Sequence, residues 1–373
     1  MPGIAATISQ LAKFRRPFAG GARDGGDSPA LQEIAAFGAN PGALRMLTHV
    51  PAGLRPGAPL LVVLHGCTQS AADYDTGAGW SMMADRHGFA VLLPEQARAN
   101  NANLCFNWFQ PGDTARNEGE AASIRQMIAR MAADHRIDPA RVFITGLSAG
   151  GAMTASMLAA YPEVFAGGAI IAGLPAGAAT TVQGAFEAMF QGRIQTGREW
   201  GDIVRAASPH RDPWPRIQIW QGHADATVKP VNAAQLVAQW ADVHGVPAVP
   251  MAIGTVDGAT HHTWRNGAGT VVMEAFLVPG LAHGTPLDTQ SGDLDHAAGA
   301  AGPHMLEAGI SSTWHIARGF GLLTAPATQA VPRSTPQPAK ILGLQIPALA
   351  KLPSGPSEVI SKALRAAGLM PGR

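Results

Sequence analysis

The chain has 373 residues, 46% hydrophobic and 14% charged, which is enough for one large or two ordinary domains around a sizeable core. A formal net charge of +1 argues against a general nucleic-acid surface, so no nucleic-acid partner is expected. Two cysteines exclude a disulfide-dense scaffold and a four-thiolate zinc site, and no 18-residue apolar span predicts a transmembrane segment.

Residues 1–40 read as a leader, partly disordered. Its basic cluster (Lys13, Arg15, Arg16) is followed by Ala19-Gly20-Gly21, not by an apolar run, so no clear signal peptide is present. Leu44–Val50 reads as a first strand. Leu60–Leu64 is a continuous apolar run bounded by Pro59 and His65-Gly66, the pattern of a strand buried on both faces. Ala71–His87 reads as one helix and Phe89–Pro94 as the next strand. Glu118–Asp134 places Ala121, Ile124, Met127, Ile128 and Met131 at helical spacing. Val142–Thr145 is a strand, and Ala149–Tyr161 a helix of small residues.

The alternation continues with strands at Ala169–Ala172, Ile217–Trp220 and Val271–Val278. Helices are expected at Val231–His244 and Ser311–Phe320, and Gly177–His210 is an insertion with helical patches. Strands alternating with helices imply an α/β fold whose central sheet is mainly parallel, with helices on both faces. The catalytic domain is expected to span 41–323, with a small insertion after the sixth strand. From residue 324 to 373 prolines recur, and between Pro332 and Arg373 six basic residues face only Glu358, a net +5. This predicts a basic, Pro-rich C-terminal tail.

Gly146-Leu147-Ser148-Ala149-Gly150 carries the chemistry. Gly-x-Ser-x-Gly alone is a weak signal, but here a strand enters it and a helix leaves it. That is a nucleophile elbow, whose small flanking residues let the chain turn sharply and present the serine hydroxyl. A serine needs a base. His283 follows the last strand and Asp225 an earlier one, and the chain order Ser, Asp, His is that of the α/β-hydrolases. His223 is too close to the acid to serve as base, and the pair His261-His262 precedes the last strand and reads as a surface or supporting pair. Asp288 is the alternative acid. The backbone N–H of Ala149 and of Cys67, on the loop after Leu60–Leu64, are the expected oxyanion donors. No tight metal-ligand spacing links the histidines, so no metal and no cofactor are expected.

His65-Gly66-Cys67-Thr68-Gln69, Leu92-Leu93-Pro94-Glu95-Gln96, Cys105-Phe106-Asn107-Trp108-Phe109, Gly146–Gly151 and Gly280–Thr285 together resemble the esterase / poly(3-hydroxybutyrate) depolymerase family of α/β-hydrolases. The resemblance runs from about Leu44 to Leu322. It implies hydrolysis of carboxylic esters, often short-chain polyhydroxyalkanoates and often by secreted enzymes, with feruloyl and acetylxylan esterases among the relatives. It assigns the triad to Ser148, Asp225 and His283 and puts Cys67 at the oxyanion hole. Apart from the resemblance, Trp108, Phe109 and the Gly177–His210 insertion are candidates for lining the acyl site, the alternative being that the aromatics belong to the core. Beside it, Cys67 and Cys105 read either as a disulfide pinning two active-site loops or as two reduced thiols. The expected partner is an ester or polyester; a serine peptidase and a non-enzymatic polymer-binding protein are the rival functions. Oligomeric state is not legible.

Overall fold

The computed structural model describes residues 31–324. Most of the sequence's leader and all of its tail beyond Thr324 lie outside the described residues. The strands are β1 (Gln32–Ile34), β2 (Arg45–His49), β3 (Leu60–Leu64), β4 (Ala90–Glu95), β5 (Val142–Leu147) and β6 (Gly167–Ile171). They continue with β7 (Arg216–Gly222), β8 (Ala252–Val256), β9 (Ala259–Arg265), β10 (Val271–Val278), β11 (Thr285–Leu287) and β12 (Met305–Glu307). The helices are α1 (Ala71–Ala78), α2 (Trp80–His87), α3 (Pro111–Thr114), α4 (Gly119–His135) and α5 (Ala149–Ala160). They continue with α6 (Val182–Gln191), α7 (Gly197–Ala206), α8 (Val231–Val243) and α9 (Ser312–Gly319).

Ten strands form one sheet in the order β1-β2-β4-β3-β5-β6-β7-β10-β9-β8. The block from β4 through β3, β5, β6 and β7 to β10 is parallel. Antiparallel strands close both edges. This is the expected α/β-hydrolase architecture, with α6 and α7 inserted after β6.

The two faces follow the period of two along each strand. Leu60, Val62 and Leu64 point into one core with Ile124, Met127, Leu158 and Trp240, which α4, α5 and α8 contribute. Leu61 and Val63 point into the other, with Tyr74, Met83 and Ile316 from α1, α2 and α9. A strand covered on both sides has no polar positions to alternate, which is why β3 is apolar throughout. Helix α5 lies deepest, with every residue buried, and its small side chains permit that depth.

Three differences from the sequence reading have plain causes. Ala71–His87 is two helices, because Gly79 turns left-handed (φ 77) and ends the first. A Cβ there would stand 2.5 Å from Gly299 N. Before the last strand lies a hairpin, β8–β9, turned at Asp257 and Gly258 with φ 46 and 78. Asp-Gly between strand-forming runs is a strong hairpin signal. His261 and His262, which precede the last strand, are therefore themselves on a strand, β9. Finally, β1 pairs with β2, so the sheet reaches into the stretch read as leader.

The register aligns five strand ends. Leu64 pairs Gly146, Leu147 pairs Ile171, Ile171 pairs Trp220, and Gly222 pairs Val278. The loops after β3, β5, β6, β7 and β10 thus leave from one edge, where open α/β sheets bind ligands. The N-terminus of α5 crosses that edge closely. A Cβ on Gly150 would meet Leu64 O at 2.3 Å and His65 O at 2.5 Å, both backbone atoms with nowhere to go. Gly150→Ala is accordingly expected to shift α5 outward and lower the urea midpoint. Wild-type stability in this variant would show that the crossing is looser than described.

Candidate active site

Ser148 occupies the turn between β5 and α5 with φ 58 and ψ −116. Backbone strain of this kind costs on the order of 1–3 kcal/mol and persists only where neighbours hold it. Here the Ser148 N–H donates to Ile171 O at 2.9 Å, tying the bend to β6. The helix that follows aims its free N–H groups back toward the serine, a favourable place for developing negative charge.

The Ser148 hydroxyl stands 2.9 Å from His283 Nε2, and His283 Nδ1 stands 2.7 Å from Asp225 Oδ2. With Nδ1–H donating to the acid, Nε2 is left to accept the hydroxyl proton. The Asp225 side chain is 0% exposed and that of His283 10%. The acid's other bonds fix it: Oδ1 accepts the N–H groups of Thr227 and Val228, both at 2.8 Å, and Oδ2 accepts Gln221 Nε2 at 3.3 Å. The carboxyl therefore has no freedom to rotate away from the imidazole. His223 is exposed and its backbone N–H bonds Val278 O. His261 bonds Glu274 at 2.9 Å, on β9 and away from this chain of contacts. Asp225, and not Asp288, bonds His283.

The loop after β3 is held by residues of the quoted motifs, to most of which the sequence reading gave no individual role. His65 is buried; its Nδ1 bonds Gly66 O at 2.8 Å and its Nε2 accepts the Gln96 N–H at 3.1 Å. Burial pushes the His65 imidazole below its ordinary range, so it stays neutral with one fixed tautomer. Gln69 Oε1 accepts the Gly66 N–H at 2.8 Å. Cys67 and Cys105 are joined by a disulfide, which ties this loop to the one carrying Asn107, Trp108 and Phe109. Trp108 is buried in an apolar cluster with Ala149, Leu174, Ala185, Ala188 and Val228, and Phe109 packs at its margin. Both aromatics thus belong to the apolar cluster that includes Ala149, the residue after Ser148.

Beneath these loops lies Glu120, on α4 and buried. Its Oε1 accepts Gln96 Nε2 at 2.5 Å and its Oε2 accepts the Asn107 N–H at 2.9 Å. Burial pushes its carboxyl up to about 8; the two N–H donors oppose the shift and Asp113 adds to it. On the other side, His304 Nδ1 donates to His283 O at 3.0 Å, and the two rings meet edge to face at 5.7 Å. Burial pushes the His304 imidazole down. Gln96 stood within a motif and was legible as a unit. Glu120, Gln221 and His304 carried no local signal, since their partners are distant in sequence or defined only by the fold. Among the described residues no cluster of three or more His, Cys, Asp or Glu could hold a metal ion.

Residues 46–256 match a family model described as esterase PHB depolymerase. The chain is 45% identical over 295 residues to the poly(3-hydroxyalkanoate) depolymerase C of Paucimonas lemoignei, which covers 79% of this chain and 70% of that protein. It is 34% identical over 265 residues to an acetylxylan esterase of Coprinopsis cinerea, covering 69% of each. Among solved structures, an acetyl xylan esterase from Aspergillus awamori aligns with a TM-score of 0.62 at 26% identity, over 68% of this chain and 94% of that one.

The disulfide closes a loop across a sequence separation of 38. Loop-closure entropy for that length amounts to about 4 kcal/mol, an upper figure where native strain intervenes. The Cys67→Ala/Cys105→Ala double variant is expected to lose roughly 2–4 kcal/mol in chemical denaturation and to turn over esters more slowly. Unchanged stability and rate would mean that the loops hold themselves.

Glu120 binds a proton in the folded chain that it releases in the unfolded one, over the window from 4.5 to about 8. Its contribution to stability is therefore full below pH 4.5 and declines as pH rises through about 8. Glu120→Gln, which mimics the protonated acid, removes this slope. The denaturation midpoint of Glu120→Gln relative to wild type should rise with pH across the window. A difference independent of pH would show that the carboxyl is ionised throughout.

Proposed function

The chain belongs to the esterase / PHB depolymerase family of α/β-hydrolases and is a serine-type carboxylic-ester hydrolase, and we propose that Ser148, His283 and Asp225 carry the reaction on short-chain aliphatic polyesters. The observation that carries the assignment is the unbroken hydrogen-bond chain from Ser148 through His283 to Asp225. Ser148 Oγ attacks the ester carbonyl while His283 Nε2 takes its proton. The new imidazolium is stabilised by Asp225, which also keeps the ring in its tautomer. The tetrahedral oxyanion is received by the N–H groups of Ala149 and Cys67. As the C–O bond breaks, the alcohol leaves with the proton from His283. Water then enters, gives a proton to His283 and cleaves the acyl-enzyme, restoring the Ser148 hydroxyl.

The polyester reading is supported by the 45% identity to a poly(3-hydroxyalkanoate) depolymerase. Trp108, Phe109 and the small apolar residues around them supply an uncharged wall suited to a short aliphatic acyl group. Acetyl or feruloyl ester hydrolysis is the second reading, favoured by the acetylxylan esterase relative at 34% identity.

A panel of 3-hydroxybutyrate oligomers and film, acetylated xylan, methyl ferulate and p-nitrophenyl butyrate separates them. The oligomers and film should be the best natural substrates; acetylated xylan or ferulate turned over faster would replace the polyester reading. Ser148→Ala and His283→Ala should each lose at least about 10³-fold in kcat, and the double variant should be little worse than either. Asp225→Asn should fold normally yet fall by about 10³- to 10⁴-fold, since an amide favours the wrong tautomer. A mild effect at Asp225 would transfer the acid role elsewhere.

A further inference from the structure

The proposed base stands on a connection without regular structure of its own. Residues 279–284 join β10 to β11, and Gly280 and Gly284 lie within them. The bond to Asp225 orients the His283 ring, but it does not fix where the backbone under the ring stands. That position is set from a neighbouring segment. β11 runs parallel to β12 with Thr285 opposite Met305, and the Thr285 N–H donates to His304 O at 2.8 Å. A Cβ on Gly284 would stand 2.7 Å from the same oxygen. The His304 side chain then reaches back: its Nδ1 donates to His283 O at 3.0 Å, and its ring meets the His283 ring at 76°. A carbonyl oxygen only accepts, so Nδ1 carries the proton of this bond.

His304 makes these contacts from a backbone that does not suit it. Gly302, Pro303, His304 and Met305 form a turn, closed by the Met305 N–H to Gly302 O at 3.0 Å and the Gly302 N–H to Met305 O at 2.9 Å. Pro303 stands at the second position and His304 at the third, with φ 63. That is the pattern of a type II turn, whose third position is left-handed and favours glycine. Histidine enters this region more readily than most side chains, yet against a steric resistance that glycine does not meet. Met305 anchors the turn in the core, buried against α1, where a Cβ on Gly77 would meet its Cγ at 2.6 Å. A strained residue held firmly beside a reacting group points to a use for its side chain. Burial pushes the His304 imidazole down, so it stays neutral and sets no positive charge against the imidazolium that His283 becomes.

We propose that His304 is a positioning residue for the ester hydrolysis: donating to the His283 carbonyl from an anchored turn, it fixes the place of His283 Nε2 relative to Ser148 and acts on the reaction only through His283. This rests on the reading of His283 as the base. Held in this way, His283 passes its proton from Ser148 to the leaving alcohol, and later from water to Ser148, without a shift of the connection that carries it. A displacement of about 1 Å at a reacting group costs up to about 10²-fold in rate, which sets the scale of the effect.

The test uses the full chain and p-nitrophenyl butyrate. His304→Gly removes the donor and the ring while giving the turn the residue it favours. His304→Asn supplies a neutral N–H donor on a side chain that also tolerates a positive φ. Each is made alone and together with His283→Ala, and kcat, KM and the urea midpoint are measured. His304→Gly is expected to lower kcat about 10- to 100-fold with KM within about twofold of wild type. Its urea midpoint should stay near that of wild type, because relief of the left-handed backbone offsets the lost bond. His304→Asn should recover most of the lost kcat. In the His283→Ala background His304→Gly should make no further difference, since the group it positions is gone. A purely structural histidine would give another result: a midpoint that falls together with kcat. That outcome overturns the proposal, as does a kcat for His304→Gly within about twofold of wild type. So does an asparagine variant no better than the glycine one, or a glycine effect that persists in full without His283. Near-normal turnover by His283→Ala alone would instead remove the triad reading, and the proposal with it.

Discussion

The backbone bend at Ser148 is the constraint from which the rest of the site hangs. A non-glycine residue at φ 58 and ψ −116 is not stable by its own preference. It is held because β5 on one side and α5 on the other are both wholly buried, so neither can relax without opening the core. Gly146 and Gly150 let the two arms of the bend pass: a Cβ on Gly146 would stand 2.5 Å from the Gly150 carbonyl. The serine is thus presented by packing pressure, with its hydroxyl outside the sheet edge and its following N–H groups turned toward the same point.

Around that point, position is supplied by the sheet and orientation by hydrogen bonds. The parallel register places the ends of β5, β7 and β10 side by side, which brings residues 148, 225 and 283 within reach although they are far apart in sequence. Reach alone does not align an imidazole. Asp225 is clamped by two backbone N–H groups and Gln221, and His283 is bonded through its carbonyl by His304. Asp225 is thus held by groups outside the proposed triad, and the backbone of His283 is tied by His304, while the His283 ring itself is oriented by Asp225. On the opposite flank, His65, Gln96 and Glu120 do the same for the loop after β3, with the disulfide as a covalent tie.

The parts of this legible from sequence are those with local signatures. Continuous apolar runs such as Leu60–Leu64 announce buried strands, and Gly146–Gly150 between a strand and a helix announces the bend. Asp225 and His283 were singled out because each follows a strand end, and His283 also lies in the Gly280–Thr285 motif. What was not legible has partners remote in sequence. Glu120 stands at a helix start with no pattern around it, and only the fold brings Gln96 and Asn107 to it. His304 stands in no motif, and its bond to the His283 carbonyl spans 21 residues. The β8–β9 hairpin was legible in principle, since Asp257-Gly258 is a turn signal; the surrounding Gly and Thr residues diluted the strand pattern and hid it. The break at Gly79 was hidden because an isolated glycine within a helical pattern is tolerated, at a cost of about 1 kcal/mol relative to alanine.

Rigidity in the site also bears on where selectivity is built. The groups proposed to do the chemistry stand on strand ends whose register cannot slip by one residue without turning every buried side chain to the wrong face. The insertion is free of that rule. Helices α6 and α7 hydrogen-bond to no strand of the sheet and rest on α8 and the acid loop through side chains and single backbone contacts, such as Gln235 with Trp200 and Asn232 with Ala188. Its outer surface can change in sequence without moving Ser148, His283 or Asp225. A family whose members are named for acetylxylan, feruloyl and poly(3-hydroxyalkanoate) esters needs such a separation, because the ester carbonyl is common to all of them and the groups attached to it are not.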